Sequence, residues 1–186
     1  YIVQTGAAVL RAKAKPVLKK DIGSPGRAGR KLNAVIKRMK DLLKKEEFGV
    51  AIAAPQIGES LRLFVISGRV FKKSDTTPAT KTKEPDRVFI NPKITRLSRK
   101  KREMSEGCLS VRGKYGTVLR REKASIEALD EHGTVFTYHG SGLVGHIFQH
   151  EVDHLDGILY TDKAEKLEDE GSREKLRKEF SPGDTA

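Results

Sequence analysis

The alternation of apolar and polar positions divides the chain into a small set of elements. Between Ser24 and Glu47, Leu32, Val35, Ile36, Met39, Leu42 and Leu43 recur at steps of three and four. That is the stripe of an amphipathic helix. FGVAIAAP (Phe48 to Pro55) is an extended apolar run closed by proline, and LRLFVIS (Leu61 to Ser67) has the β-branched and aromatic content of a strand. Gly68 to Asp86 is polar and aperiodic, which predicts a mobile surface loop. RVFINP (Arg87 to Pro92) resumes as a strand that Pro92 should limit. Further strands are expected at 93–98 and 117–121, then at 123–129 (KASIEAL) and 134–138 (TVFTY), the last two joined by a DEHG turn. A second helix is expected from about Gly142 to Asp156 and a charged third one from about Lys163 to Lys178. No segment repeats, and strands surrounding one well-formed helix argue for a single α+β domain.

Composition narrows the class. The 186 residues are 33% charged and 37% hydrophobic, enough apolar content for one packed core. No run approaches roughly 18 apolar residues, and YIVQTGAAVLRAKAK lacks the order of a secretory signal, so no membrane partner is expected. The net charge of +12 is unevenly spread: residues 1–100 hold 24 Lys+Arg against 8 Asp+Glu, giving +16, and residues 101–186 hold 13 against 17, giving −4. A basic half steers association with polyanions without naming one. Paired zinc-finger cysteines and an aromatic-rich RNA-reading strand are both missing, which speaks against sequence-specific nucleic-acid binding. The single cysteine, Cys108, has no disulfide partner in the chain, so it is an inert buried thiol or a residue with chemistry.

The second helix carries that chemistry. His150, Glu151, Val152, Asp153 and His154 spell H-E-x-x-H, which sets two imidazoles on one helical face, one turn apart. They can grip one metal ion, with Glu151 placed to take a proton from water. A catalytic metal usually has a third protein ligand. Tyr160 stands where an elongated metalloprotease motif needs its third histidine. Glu165, Glu174 and Glu179 offer a downstream carboxylate, in a region that reads as a solvated helix. His146 lies eight residues from His154, about 12 Å along the axis, too far for both to hold an ion beside His150. Cys108 remains, and its thiolate is a strong ligand for zinc or ferrous iron.

Three segments, GVAIAAPQ (Gly49 to Gln56), EGCLS (Glu106 to Ser110) and QHEVDHLDG (Gln149 to Gly157), together resemble the signature motifs of peptide deformylase. VLRAKAKPV, FINP and HLDGILYTDKA extend the likeness. It implies a catalytic domain over 1–165, followed by a charged helix or tail over 166–186. The fold it implies is α+β, with antiparallel β-sheets packed around the HExxH helix. By this resemblance the metal ligands are Cys108, His150 and His154, and Glu151 is the acid–base residue. The Gln56 amide and the Leu109 backbone N–H would hold the oxyanion. One divalent ion is implied, Fe(II) natively, with Zn, Ni or Co also suited to thiolate plus imidazoles. The substrate implied is an N-formylmethionyl nascent peptide, hydrolysed to formate and a free amino terminus. Leu143, His146 and Ile147 share the face of His150 and should form one pocket wall, with Val50 and Met104 opposite. Leu143 and Ile147 are equally explained as core. The strand around Gly49, Val50 and Ala51 would pair with an extended substrate.

Departures from the family pattern fall at Ala51, commonly glycine, which would strain a left-handed backbone; at Arg112, commonly proline; and at His146, typically apolar. Glu106 is a candidate partner for Arg120, and Asp153 for an imidazole or an arginine. A bacterial cytoplasmic enzyme with transient ribosome association is the reading, with an organellar location open. Two rivals differ in kind: an HExxH metallopeptidase that does not need Cys108, and a catalytically silent metal-containing protein that binds ribosome or RNA through the basic half.

Overall fold

The computed structural model describes residues 1–71 and 84–169. The first helix, α1, spans Arg27–Lys45 and buries Leu32, Val35, Ile36, Met39 and Leu43, the stripe read from the sequence. Strands β1 (Ala51–Ala53), β2 (Leu63–Ile66), β3 (Arg87–Leu97), β6 (Lys123–Leu129) and β7 (Val135–Ser141) form a five-stranded antiparallel sheet in the order β1-β2-β3-β6-β7. Strands β4 (Lys101–Cys108), β5 (Val111–Arg121) and β8 (Lys166–Asp169) form a second antiparallel sheet in the order β4-β5-β8. The second helix, α2, runs Gly142–Leu155.

The uninterrupted apolar runs of β1 to β3 have a physical reason. Successive strand residues face opposite sides of a sheet, and here both sides are covered. Ile52, Leu63, Val65, Val88 and Ile90 pack with α1, whereas Ala51, Ala53, Phe64, Ile66 and Phe89 pack with Ile147, Phe148 and Leu155 of α2. Phe89 stacks on Phe64 at 4.7 Å between ring centroids and meets Phe148 at 5.4 Å. Each such fully buried side chain contributes about 1.5–3 kcal/mol of transfer free energy. Towards β7 only one face is covered, and KASIEAL buries Ala124, Ile126 and Ala128 while its alternate residues face outward. Helix α2 is thus held between the five-stranded sheet and β5, which places the HExxH motif inside the fold.

Three expectations change. Pro92 does not end its strand: β3 continues to Leu97 across a register shift between Ile90 and Lys93, the irregularity at which a residue without an N–H fits. The charged strand β4 went unread because KREMSEGC has no apolar alternation; its pairing with β5 supplies what its composition does not. The helix expected from Lys163 does not form at its beginning, since Lys166–Asp169 is a strand whose Lys166 to Asp169 pair with Thr117 to Lys114 of β5. The rest of that expected helix, like residues 72–83 of the expected loop, lies outside the described residues. At Gly68–Phe71 the loop starts as a 3₁₀ turn.

Candidate metal centre and active site

The extreme carboxyl end of β4 delivers Cys108 to the face of α2 that carries His150 and His154. One ligand atom from each lies within 4.8 Å of the others, and Cys108 Sγ is 3.1 Å from His154 Nε2. Metal–sulfur bonds of about 2.3 Å and metal–nitrogen bonds of about 2.0–2.1 Å require donors at this kind of separation. The helix is registered by Gln149, whose Oε1 accepts from Arg121 N at 3.0 Å and whose Nε2 donates to Arg121 O at 2.8 Å. After α2, Gly157 at φ +77° turns the chain where a Cβ would meet Arg11 O at 2.6 Å.

A buried carboxylate organises the histidines. Glu106, two residues before Cys108 on β4, accepts from Arg120 Nε and, at 3.0 Å, from Arg120 Nη2. Its Oε2 is 2.6 Å from His150 Nδ1, which leaves His150 Nε2 for a metal. His146 Nε2 lies 2.6 Å from Glu106 Oε1, close but not aligned as a hydrogen bond. Arg120 Nη1 donates to Asp153 at 2.7 Å, and Lys163 caps the same carboxylate. Burial alone would raise the Glu106 carboxyl, but these contacts with His146, His150 and Arg120 outweigh it and hold the group far below the usual carboxylate range. Burial also opposes a charged His150, yet Cys108 and Glu106 draw it towards protonation; burial drives His154 to its neutral form. One sulfur and two imidazoles at this range are a donor set that a soft or borderline divalent cation fits.

Glu151 is buried, its Oε2 has no hydrogen-bond partner, and burial pushes its carboxyl up to about 7. That is the range of a general base at neutral pH. Gln56 sits on the 3₁₀ turn Ala54–Ile57, where Ala53 N donates to its Oε1 at 2.7 Å. The amide is thereby fixed with Nε2 directed at Cys108 Sγ (3.4 Å) and Ser110 Oγ (3.3 Å).

These groups face a cleft of about 680 Å³ that Gly49, Val50, Ala51, Gln56, Cys108, Leu109, Leu143, His146, Ile147, His150 and Glu151 all line. Met104 does not: it sits opposite Val118 in the β4–β5 ladder, farther along β4 than the cleft reaches. Ala51 carries no left-handed strain, since Asn91 is the only non-glycine at positive φ among the described residues. Arg112 lines the cleft and reaches Glu46 at 3.6 Å. Glu165 is exposed and outside the metal-ligand cluster, and Glu174 and Glu179 lie outside the described residues. Sequence reading missed Ser110, which is fully buried against Gln56, and Tyr115 of the cleft wall. It also missed Tyr160, whose ring stacks 6.2 Å from that of His150. Ser110 was visible in EGCLS; Tyr115 is brought in by the pairing of β5 with β4, and Tyr160 by the 3₁₀ turn Tyr160–Asp162 that follows α2.

The sequence matches the polypeptide deformylase family over residues 1–170. The chain belongs to that family. A peptide deformylase of Symbiobacterium thermophilum is 38% identical over 174 residues, covering 89% of this chain and 67% of its own. One from Dehalococcoides mccartyi strain CBDB1 is 39% identical over 157 residues, covering 84% and 81%. Among solved structures, the Synechococcus elongatus peptide deformylase in complex with actinonin has a TM-score of 0.71 at 32% identity, covering 89% of this chain and 79% of that one. The Met-Ala-Ser-bound class I type b enzyme of Acinetobacter baumannii has a TM-score of 0.73 at 28% identity, covering 88% and 96%. This deformylase is accordingly a hydrolase that removes the N-formyl group from nascent polypeptides, and metal dependence is a property of its family. No helix among the described residues is long and apolar enough to cross a membrane.

Proposed function

We propose that Cys108, His150 and His154 hold the catalytic divalent ion, Fe(II) in the native enzyme, and that Glu151 is the acid–base residue of N-formylmethionyl hydrolysis. The observation that carries this is the convergence of one thiol and two imidazoles within 4.8 Å in a cleft that Glu151 and Gln56 share. A cation bound there supplies Lewis acidity, polarising the formyl oxygen and making water nucleophilic at neutral pH. Glu151 takes a proton from the attacking water and returns it to the departing amine. As the formyl carbon becomes tetrahedral, the Gln56 amide and the Leu109 N–H donate to its oxyanion. The C–N bond then breaks, giving formate and a free amino terminus. Leu143, His146, Ile147 and Val50 receive the methionine side chain. β1 (Ala51–Ala53) is an edge strand, and an extended substrate would pair along it beside Gly49 and Val50, which line the same cleft. The enzyme acts in the cytoplasm, in transient association with the ribosome.

Formate release from formyl-Met-Ala-Ser by anaerobically prepared, metal-quantified protein tests the reading, which fails if metal-loaded wild type releases none. Cys108→Ala should lose most of its metal and its formate release together; full metal retention would return the third ligand to another residue. For Gln56→Ala, kcat/KM should fall by roughly 10²–10³-fold at unchanged metal content, the usual loss for one oxyanion donor. A change confined to KM would reassign Gln56 to substrate binding.

A further inference from the structure

We infer that the outer face of β3, β6 and β7, with the β3–β4 turn, is a docking surface for the phosphate backbone of RNA. The segment Lys93–Arg102 carries six cations and no carboxylate. Lys93, Arg96, Arg99, Lys100, Lys101 and Arg102 are all exposed. Among the described residues, only Lys100 of these is in an ion pair, with Glu122 at 3.1 Å. The neighbouring strands continue the surface on the side away from Glu127, the exposed carboxylate opposite Lys93. Arg96 pairs with Ser125 and Ser125 with His139, and Lys123 pairs with Ser141 while its N–H donates to Ser98 Oγ at 3.1 Å. Residues opposite each other on neighbouring strands share a face. Arg96, Ser98, Lys123, Ser125, His139 and Ser141 accordingly line a second depression, of about 480 Å³, with no carboxylate in its wall.

Alternating cations, hydroxyls and an imidazole are the donors that contact phosphate and sugar oxygens without reading bases. A bilayer is the poorer fit, because the exposed apolar residues of these strands, Leu97 and Val135, stand at opposite ends of the sheet. Helix α1 is also basic, but Lys37, Arg38 and Lys40 are paired with Asp41, Glu59 and Glu131. Ser141 in the depression is two residues from Leu143 in the catalytic cleft. RNA held at one would therefore lie beside a peptide held in the other. The choice of RNA rests on the proposed action on ribosome-borne chains, whereas the surface itself does not.

The test measures binding of a labelled RNA hairpin to the metal-loaded enzyme across a salt series. A variant with Arg96, Arg99, Lys101 and Lys123 all changed to Gln should bind at least about tenfold more weakly at low salt. Its log K against log salt slope should be shallower by about 3, as expected for four lost contacts. Formate release from a free formyl-tripeptide should be unchanged in that variant, which separates this inference from the catalytic reading. A control with Arg27, Arg30, Lys31 and Lys44 of α1 changed to Gln should keep most of the affinity. Equal loss in the control would overturn the inference in favour of net charge alone. It would also be overturned if polyglutamate or phosphatidylserine vesicles displaced the RNA at equal charge concentration, which would indicate an acidic protein or a membrane surface.

Discussion

Replacing Glu151 with alanine lowers formate release by about 10²–10⁴-fold, the usual worth of a positioned general acid–base group, without lowering the stability of the metal-free protein. The two outcomes have one cause. Glu151 is buried with an unpartnered Oε2, so its ionised form is poorly solvated. Its folded-state value of about 7 lies above the ordinary 4.5. A carboxyl raised in this way costs the folded state stability as pH climbs from about 4.5 towards 7. Alanine removes that cost, so urea midpoints near pH 7 should stay level or rise. In the loaded enzyme the nearby cation favours the carboxylate, which puts the acid limb of kcat/KM at or below pH 7. A urea midpoint that drops with activity would make Glu151 a structural residue. Loss of bound metal in Glu151→Ala would instead place it among the ligands.

Glu106→Ala should destabilise the protein by about 3–5 kcal/mol, because it leaves Nε and Nη2 of the buried Arg120 without their carboxylate, with only the Asp153 contact remaining, and releases His150. Glu106 has a folded value far below its ordinary 4.5. Its contribution is therefore fully present above about pH 4.5 and is lost as pH falls below that, the reverse of the Glu151 case. Wild type should lose stability steeply on acidification below pH 4.5. Glu106→Gln should show a flatter acid dependence, and both variants should bind metal more weakly, by roughly 10–100-fold, through loss of the imidazole's orienting partner. Unfolding curves at pH 7 and pH 4, with metal titrations, check all three. Equal acid slopes in wild type and Glu106→Gln would show that another carboxylate governs acid unfolding.

The elements that the sequence exposed were those with a period or a continuous apolar run. α1 and KASIEAL bury one side each, so spacing alone traced them. β4 and β8 are charged and partly exposed; they exist because β5 lies between them, and no local pattern records that neighbour. The continuous apolar runs of β1 to β3 were legible as strands, but that two helices cover opposite faces was not.

At the site, residue chemistry and helical spacing were enough to put His150, Glu151 and His154 on one face, because a helix turn is fixed by backbone geometry. Cys108 was reachable by elimination and by its motif. What tertiary structure alone decided is how these groups are charged and aimed. Glu106 binds Arg120 and His150 at once with His146 close beside it, Asp153 takes the arginine and not an imidazole, and Ala53 orients the Gln56 amide. Met104, plausible by position along β4, falls outside the cleft. Protonation and hydrogen-bond direction depend on burial and on partners brought together from three strands, a 3₁₀ turn and a helix, and those are properties of the packed chain that no sequence spacing encodes.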